Sequence, residues 1–181
     1  KYGFREDAVL CLDEDGKKSH FYSISDILTE NDLFERLLAA TPEFLTAYGE
    51  NPYHLNDVLP ATQDGQFRRK GDLFLSMRNK SLVMQYRPQD GSVVWHQQGP
   101  WLNQHDINIV NDSVISVFNN NVSRLSKAPW EAGSNIAYFN FADGSTEFLG
   151  QGLFASGTEG RQTLTVDDYI LVEATDTSVY L

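Results

Sequence analysis

The sequence contains a single cysteine, Cys11, among its 181 residues. One thiol forms no disulfide within the chain, which excludes the small secreted scaffolds that several disulfides hold together. Cys11 lies between Leu10 and Leu12, and a free cysteine in such a run is expected to pack as a small apolar side chain. This cysteine usage fits a reducing compartment, and it equally fits a periplasmic protein without disulfides.

Positive charge and long apolar runs are scarce as well. Lysine and arginine together number 14, against 25 aspartates and glutamates, which gives a net charge of −11 and a pI near 4.6. A chain this acidic argues against broad electrostatic binding to nucleic acid or to an anionic membrane. No apolar run approaches the roughly 20 residues that span a bilayer as a helix. We therefore expect no nucleic-acid partner and no membrane span.

Motifs for several common chemistries are absent. The sequence has no cluster of Cys or His with metal-ligand spacing, no glycine-rich phosphate loop and no Gly-x-Ser-x-Gly elbow. Asp13, Asp15 and Asp143 stand near glycines, but they lack the ligand spacing of a calcium loop and fit hairpin turns better. The sequence thus predicts no metal site and no cofactor.

What the sequence does contain is β-strand patterning with one helical interruption. Residues 8–23 predict a hairpin, because two alternating runs flank a turn that ends at Gly16. The apolar spacing then becomes helical, and we place a helical insertion at 24–53, helical over 26–48, with a cap at Ser25 and a second short helical segment from Pro42 through Tyr48. Its apolar stripe is expected to cover a sheet edge or another subunit, and consists of Leu33, Phe34, Leu37 and Leu38.

The rest of the chain repeats one plan of short strands. Asp-Gly-Ser turns recur, and Gly91 and Gly144 are 53 residues apart. A period of about 40–55 residues that carries four short strands is typical of a β-propeller blade. We therefore predict one partial, all-β propeller domain of about three blades, with a blade end (8–23), the helical insertion (24–53), a blade (54–97), a second blade (105–149) and a partial blade (161–181). Because a propeller needs at least four blades to close, this predicts a piece of a longer protein, and the alternative is an open β-sandwich of complete length.

The stretch 98–121 is a candidate site region. It combines a Gly-Pro turn, Trp101, the pair His105-Asp106 and two alternating strands around an Asn-Asp turn. The His-Asp pair stands at the start of the first strand, where loop-borne sites on β scaffolds usually lie. The alternative is a blade-entry pair whose imidazole ring bonds to the backbone of a neighbouring blade.

Several runs in this region resemble the arylsulfotransferase-like bacterial β-propeller family, and the resemblance covers roughly residues 50–181. These runs are 51–58, 70–79, 86–95, 99–106 and 159–164. The resemblance implies a six-bladed propeller that is exported from the cytoplasm, hence periplasmic or secreted. It also implies transfer of a sulfuryl group from a phenolic sulfate ester to a phenol. No nucleotide sulfate donor takes part, and the group rests in between on a histidine.

The resemblance assigns three catalytic positions. It puts His105 at an active-site histidine, Arg124 at the arginine that follows in the same blade, and His54 at a histidine one blade earlier. No histidine follows His105 in the sequence. Either the nucleophilic histidine lies beyond Leu181, or the protein lacks it and is not a sulfotransferase.

Substrate-binding positions are predicted at Arg78, Asp106 and Trp101, and each has an alternative role. Arg78 follows a blade strand, so its side chain either meets anions in the central channel or pairs with a carboxylate. Trp101 is either a substrate platform or a packing wedge after the Gly-Pro turn. A second alignment pairs Asp57 with Asp106, and then Asn56 rather than His54 corresponds to His105.

Two functions from different classes remain open at this stage. The first is an exported arylsulfotransferase-like enzyme whose small-molecule partner is an aryl sulfate. The second is a propeller without catalytic activity that binds another anion or a partner. Assembly into a homo-oligomer is compatible with both functions.

Overall fold

The structure is a computed structural model, and it describes residues 4–34, 51–122, 133–165, 170–174 and 177–180. It is built mostly of antiparallel β-sheets. The first is a hairpin of β1 (Ala8–Leu12) and β2 (Lys18–Ser23). The side chain of Asp13 shapes its turn, because Oδ1 accepts hydrogen bonds from the backbone N–H groups of Asp15 and Lys17 at 3.0 and 2.8 Å. The predicted hairpin is confirmed.

The helical segment differs from the prediction at both ends. Helix α1 spans Ile24–Glu30, and its N-cap is Ser23, whose Oγ accepts a hydrogen bond from the N–H of Asp26 at 3.1 Å. The predicted cap at Ser25 is wrong, because that side chain is buried inside the first turn. α1 ends where the side chain of Asn31 bonds to the carbonyl of Ile27 at 2.9 Å, so the predicted helix is interrupted after Glu30. The rest of the prediction, residues 35–48 with Leu37, Leu38 and the segment from Pro42, lies outside the described ranges.

Two four-stranded antiparallel sheets follow, as the repeat pattern predicts. The first sheet contains β3 (Leu55–Pro60), β4 (Leu73–Met77), β5 (Leu82–Arg87) and β6 (Ser92–Gln98), in that order. The second sheet contains β7 (His105–Ile109), β8 (Val114–Asn119), β9 (Ser134–Asn140) and β10 (Thr146–Phe154), in the same consecutive order. Its last strand runs five residues beyond the blade boundary at 149 that the sequence predicts.

A third sheet begins where a partial blade is predicted. It has three strands, β11 (Arg161–Leu164), β12 (Ile170–Ala174) and β13 (Thr177–Tyr180), in chain order and antiparallel.

Strand β4 shows why consecutive sheets stack face to face. All five of its residues are buried, because the sheet has an apolar neighbour on each side. With side chains alternating between faces, Leu75 and Met77 join a core with the hairpin and α1, while Phe74 joins the core against the second sheet. A third core around Phe118 lies between the second and third sheets, and Val172 packs against it. Consecutive sheets therefore pack face to face.

Aspartates join the first strands of neighbouring sheets. Asp57 Oδ2 accepts the backbone N–H of Ile107 at 2.6 Å, and Asp106 Oδ2 accepts that of Gln162 at 2.6 Å. Asp7 makes the same kind of bond one step earlier, to the N–H of Leu55 at 2.9 Å. We call these contacts the aspartate bridges. Because of them β3, β7 and β11 lie side by side, and residues at the starts of these strands meet at one end of the molecule.

No helix within the described ranges is long and apolar enough to cross a membrane. No sheet within those ranges closes on itself.

Candidate functional site

His54, Arg78 and His105 form one electrostatic cluster, which we call the rim cluster. His54 immediately precedes β3, His105 begins β7, and Arg78 opens the 3₁₀ turn Arg78–Lys80 after β4. The Arg78 charge acts on both imidazoles, and His54 also acts on His105. All three side chains are half-buried. The structure thus brings together three of the residues that the sequence singles out.

The rim cluster lies beside the turn that leads into the third sheet. Arg78 Nη2 donates to the carbonyl of Gly157 at 3.5 Å, and Nη1 donates to Asn79 Oδ1 at 3.1 Å. Among the described residues no carboxylate forms an ion pair with this guanidinium. Pairing of Arg78 with a carboxylate is thus not seen among these residues, and a role in meeting anions stays a prediction.

The hydrogen bonds of Asn120 determine which nitrogen of His105 carries the proton. Asn120 Nδ2 donates to the carbonyls of Ser156 and Glu159 at 2.9 and 2.8 Å, which fixes the orientation of the amide. Its Oδ1 therefore faces His105 Nδ1, at 2.7 Å. An amide oxygen only accepts, so His105 Nδ1 must be the protonated nitrogen. In the neutral ring, Nε2 then holds a lone pair.

His54 has the opposite arrangement. Its own backbone N–H donates to Asn51 Oδ1 at 3.1 Å, so the Asn51 amide presents Nδ2 to His54 Nδ1, at 3.0 Å. An amide nitrogen only donates, so His54 Nδ1 accepts and the proton of the neutral ring lies on Nε2. One histidine of the rim cluster can therefore accept through Nε2, and the other can donate through Nε2.

Both histidines favour the neutral form at neutral pH. Burial lowers the pKa of His105 below its ordinary 6.5, and the charge of Arg78 acts in the same direction, although the hydrogen bonds to the Asn120 side chain and to the backbone of Asn103 oppose it. Burial is also the largest cause that lowers the pKa of His54, followed by Arg78. A guanidinium, an N–H donor and an imidazole lone pair can together bind a small oxyanion and attack its central atom.

The repeat does not place His54 at the position equivalent to His105. In the second sheet, His105 at the start of β7 pairs with Phe118 of β8. At the corresponding position of the first sheet, Leu55 at the start of β3 pairs with Met77 of β4. The aspartate bridges instead make Asp57 the counterpart of Asp106, as in the second alignment above, and by that comparison Asn56 corresponds to His105. His54 reaches the cluster from the loop before the strand.

The other predicted site residues lie elsewhere. The Asp106 carboxylate serves an aspartate bridge and approaches Arg161 Nε at 4.0 Å, and burial raises the pKa of Asp106. Trp101 is 0% exposed and packs edge-on to Phe139, with ring centroids 6.3 Å apart. We therefore leave Trp101 out of the proposed site. Arg124 lies outside the described residues.

Sequence reasoning missed Asn51 and Asn120, which orient the two histidines. Asn120 stands in the run Asn119-Asn120-Asn121 after β8, and nothing in that run shows which asparagine faces a ring. One available signal is that a run of three asparagines directly follows a buried strand, where each amide needs a partner.

Within the described residues no group of three or more His, Cys, Asp or Glu side chains is placed to hold a metal ion.

Comparison with known proteins identifies the family. No curated protein and no solved structure matches the chain. The family model described as arylsulfotransferase (ASST) matches residues 4–179, which includes the hairpin and the helical segment as well as the three larger sheets. The chain therefore belongs to the arylsulfotransferase family.

Proposed function

We propose that the chain forms consecutive blades of a six-bladed β-propeller and transfers a sulfuryl group from an aryl sulfate to a phenol through His105, which takes the nucleophilic role that the resemblance leaves to a histidine beyond Leu181. The observation that carries the proposal is the rim cluster, in which a neutral imidazole with a free Nε2 lone pair lies near Arg78 and a second imidazole that donates. The propeller itself is supported by the stacked sheets and by the aspartate bridges, which set β3, β7 and β11 side by side.

In this mechanism His105 Nε2 attacks the sulfur of the aryl sulfate. An N–S bond forms while the S–O bond to the ring breaks, and the electron pair leaves with the phenolate. Arg78 and the Nε2–H of His54 stabilise the charge on the sulfuryl and leaving oxygens. Nδ1 keeps its proton, which is hydrogen-bonded to Asn120 Oδ1, so the sulfonated imidazole ring is cationic. The ring is therefore a good leaving group from sulfur. The acceptor phenol then attacks sulfur, its proton passes to water, and the N–S electrons return to Nε2.

A second candidate function is anion binding without transfer. The observation that favours it is that all four histidines of the chain lie at or before His105, so the chain supplies no further histidine in a later blade. In that case the rim cluster holds a sulfate ester through Arg78 and His54, and no N–S bond forms.

A transfer assay tests the enzyme proposal. The full chain is mixed with 4-nitrophenyl sulfate and a phenol acceptor, and the release of 4-nitrophenolate is followed by its absorbance. We expect His105→Gln to abolish release and Arg78→Gln to reduce it at least tenfold, which corresponds to about 1.4 kcal/mol of transition-state stabilisation. The matched control is His96→Gln, because His96 is exposed on β6, away from the rim cluster.

Two results would decide against transfer. Release at an unchanged rate in His105→Gln would remove His105 from the mechanism. Aryl sulfate binding that depends on Arg78, without release of phenolate from the unaltered chain, would favour the binding function.

We also propose that the protein works outside the cytoplasm, either in the periplasm or as a secreted protein. The resemblance to exported family members supports this location. Fractionation of cells that express the gene in its native host is the test, and recovery in the cytoplasmic fraction alone would contradict it.

A further inference from the structure

A polar cavity of about 420 Å³ lies at the opposite end of β3 from the rim cluster. It is enclosed by the 61–72 connection between β3 and β4, by β5 and β6, and by the turn after β9. β3 has six residues, so about 20 Å separates this cavity from His54. We call it the Arg69 groove. Its volume suits one small ligand.

One wall of the groove is a fixed arginine. Arg87 Nε and Nη2 each donate to a carboxylate oxygen of Asp72 at 2.8 Å. Asp72 is fully buried and also accepts from Gln85 Nε2 at 2.7 Å and from the backbone N–H of Arg69 at 2.8 Å. The negative charge of Asp72 is thus matched inside the wall. Arg87 Nη1 makes no hydrogen bond to any described residue, so its two hydrogens remain available to a ligand.

Arg69 supplies an exposed positive charge to the groove. Its side chain is exposed, and within the described part of the chain no carboxylate pairs with it. Asp90 is near enough for the charge of Arg69 to act on its pKa. Hydrogen bonding from Ser92 is the main cause that lowers the pKa of Asp90, and Arg69 adds to it. Both hydrogen bonds from Ser92 go to Oδ1 of Asp90, so Asp90 keeps its charge, and an external anion competes with it for the exposed Arg69.

The remaining wall is aromatic. Phe67, Trp95 and Phe141 line the groove, with the rings of Trp95 and Phe141 4.8 Å apart and those of Phe67 and Phe141 5.8 Å apart. Arg68 holds the 61–72 connection in place, because its Nη1 donates to the carbonyls of Asn111 and Asp112 at 3.2 and 3.0 Å. The aromatic wall is therefore formed before any ligand arrives, which lowers the entropy cost of binding.

We infer that the Arg69 groove binds an aromatic anion, a flat ring that carries a sulfonate or carboxylate. The ring packs against Trp95 and Phe141, and the anionic group bonds to Arg69 and to Arg87 Nη1. This site is separate from the rim cluster, and it does not depend on whether the protein transfers sulfuryl groups.

Titration with naphthalene-2-sulfonate, followed by ¹H–¹⁵N NMR of the full chain, tests the inference. The chain has three tryptophans, and Trp95→Phe identifies the indole signal of Trp95. We expect this signal to shift and to saturate. Arg69→Gln should weaken binding at least tenfold, or about 1.4 kcal/mol. The matched control is Lys70→Gln, which removes a neighbouring positive charge that does not line the groove, and it should change the affinity less than twofold.

A second pair of measurements distinguishes binding in the groove from binding elsewhere on the chain. Neutral naphthalene-2-methanol should bind at least tenfold more weakly than the sulfonate, and His105→Gln should leave the Trp95 shift unchanged. The inference fails if the Trp95 signal does not move, if Arg69→Gln and Lys70→Gln weaken binding equally, or if the neutral compound binds as tightly as the anion. It also fails if the shift disappears in His105→Gln, since the probe would then occupy the rim cluster.

Discussion

At the scale of single residues, two asparagines give the two rim histidines opposite proton positions. Asn120 accepts from His105 Nδ1, whereas Asn51 donates to His54 Nδ1. Neutral imidazoles that differ in this way are not interchangeable, because one offers a lone pair at Nε2 and the other offers an N–H. The proposed mechanism needs one of each.

The first prediction is that these tautomers are observable. Long-range ¹H–¹⁵N correlation spectra at pH 8 should show His105 protonated at Nδ1 and His54 protonated at Nε2. In Asn120→Ala the hydrogen bond that holds the Nδ1 proton is lost, so we expect His105 to show a mixture of both forms while His54 is unchanged. A spectrum of the unaltered chain with His105 protonated at Nε2 would contradict this assignment.

The second prediction concerns the charge of Arg78. Because a nearby positive charge disfavours the protonated imidazole, Arg78→Gln should raise the pKa of both His54 and His105 towards 6.5. Arg5→Gln is the matched control, since Arg5 acts on His54 alone and should raise only that pKa. Titration of the imidazole signals by NMR measures both. Two unchanged midpoints in Arg78→Gln would mean that the rim cluster is not electrostatically coupled.

At the scale of elements, the aspartate bridges determine how neighbouring sheets meet. Asp57 and Asp106 are partly buried, and burial is the main cause that raises the pKa of each. Each nevertheless accepts a backbone N–H of the next sheet at 2.6 Å. The bridges supply an acceptor to an N–H group that no strand partner can reach, and in doing so they align the starts of β3, β7 and β11.

The third prediction follows from this acceptor role. Asp57→Ala leaves the N–H of Ile107 without its partner and should lower the free energy of unfolding by about 1–3 kcal/mol. Asp57→Asn keeps an acceptor oxygen and should cost less than Asp57→Ala. Urea unfolding measures the difference, and Glu14→Ala in the exposed hairpin turn serves as the control. Equal stability of Asp57→Ala and the unaltered chain would show that the bridge contributes nothing.

The fourth prediction concerns the start of α1. Ser23→Ala removes the side-chain acceptor for the N–H of Asp26 and should cost about 1 kcal/mol, the usual value for a lost N-cap. Ser23→Asp keeps a capping oxygen and is the matched comparison, although its charge would meet Glu6, which now accepts from Ser23 Oγ at 3.0 Å. Thermal unfolding measures both. Ser23→Ala with the stability of the unaltered chain would mean that the cap is not needed.

At the scale of the whole molecule, the sequence predicts the repeated sheets well and their contacts poorly. The β-strand periods and the Asp-Gly turns are local signals, so the two four-stranded sheets follow from them directly. The cap at Ser23 and the short length of α1 do not follow from local signals. The side chain of Asn31 bonds to the carbonyl of Ile27 and ends the helix, although the apolar residues of the sequence continue at helical spacing beyond it. The tautomers of the rim cluster depend on residues brought together by folding, such as Asn120 and His105, so no local pattern could show them.

The family assignment also reaches further along the chain than the resemblance does. The runs that carry the resemblance start near residue 50, whereas the family match begins at residue 4. The hairpin and α1 pack on the first sheet through Val9, Ile24 and Leu28, so the helical segment belongs to the same fold unit. The rim cluster therefore lies at the end of two hydrophobic cores that are stacked on the two faces of the first sheet.

The measurement that tests the central claim most directly is intact-mass analysis of the full chain after brief incubation with an aryl sulfate, without any phenol acceptor. The account predicts a gain of one sulfuryl group, found by peptide fragmentation on His105, lost on addition of a phenol, and absent in His105→Gln but present in His96→Gln. An unchanged mass in the unaltered chain, or a sulfuryl group on another residue, would contradict transfer through His105.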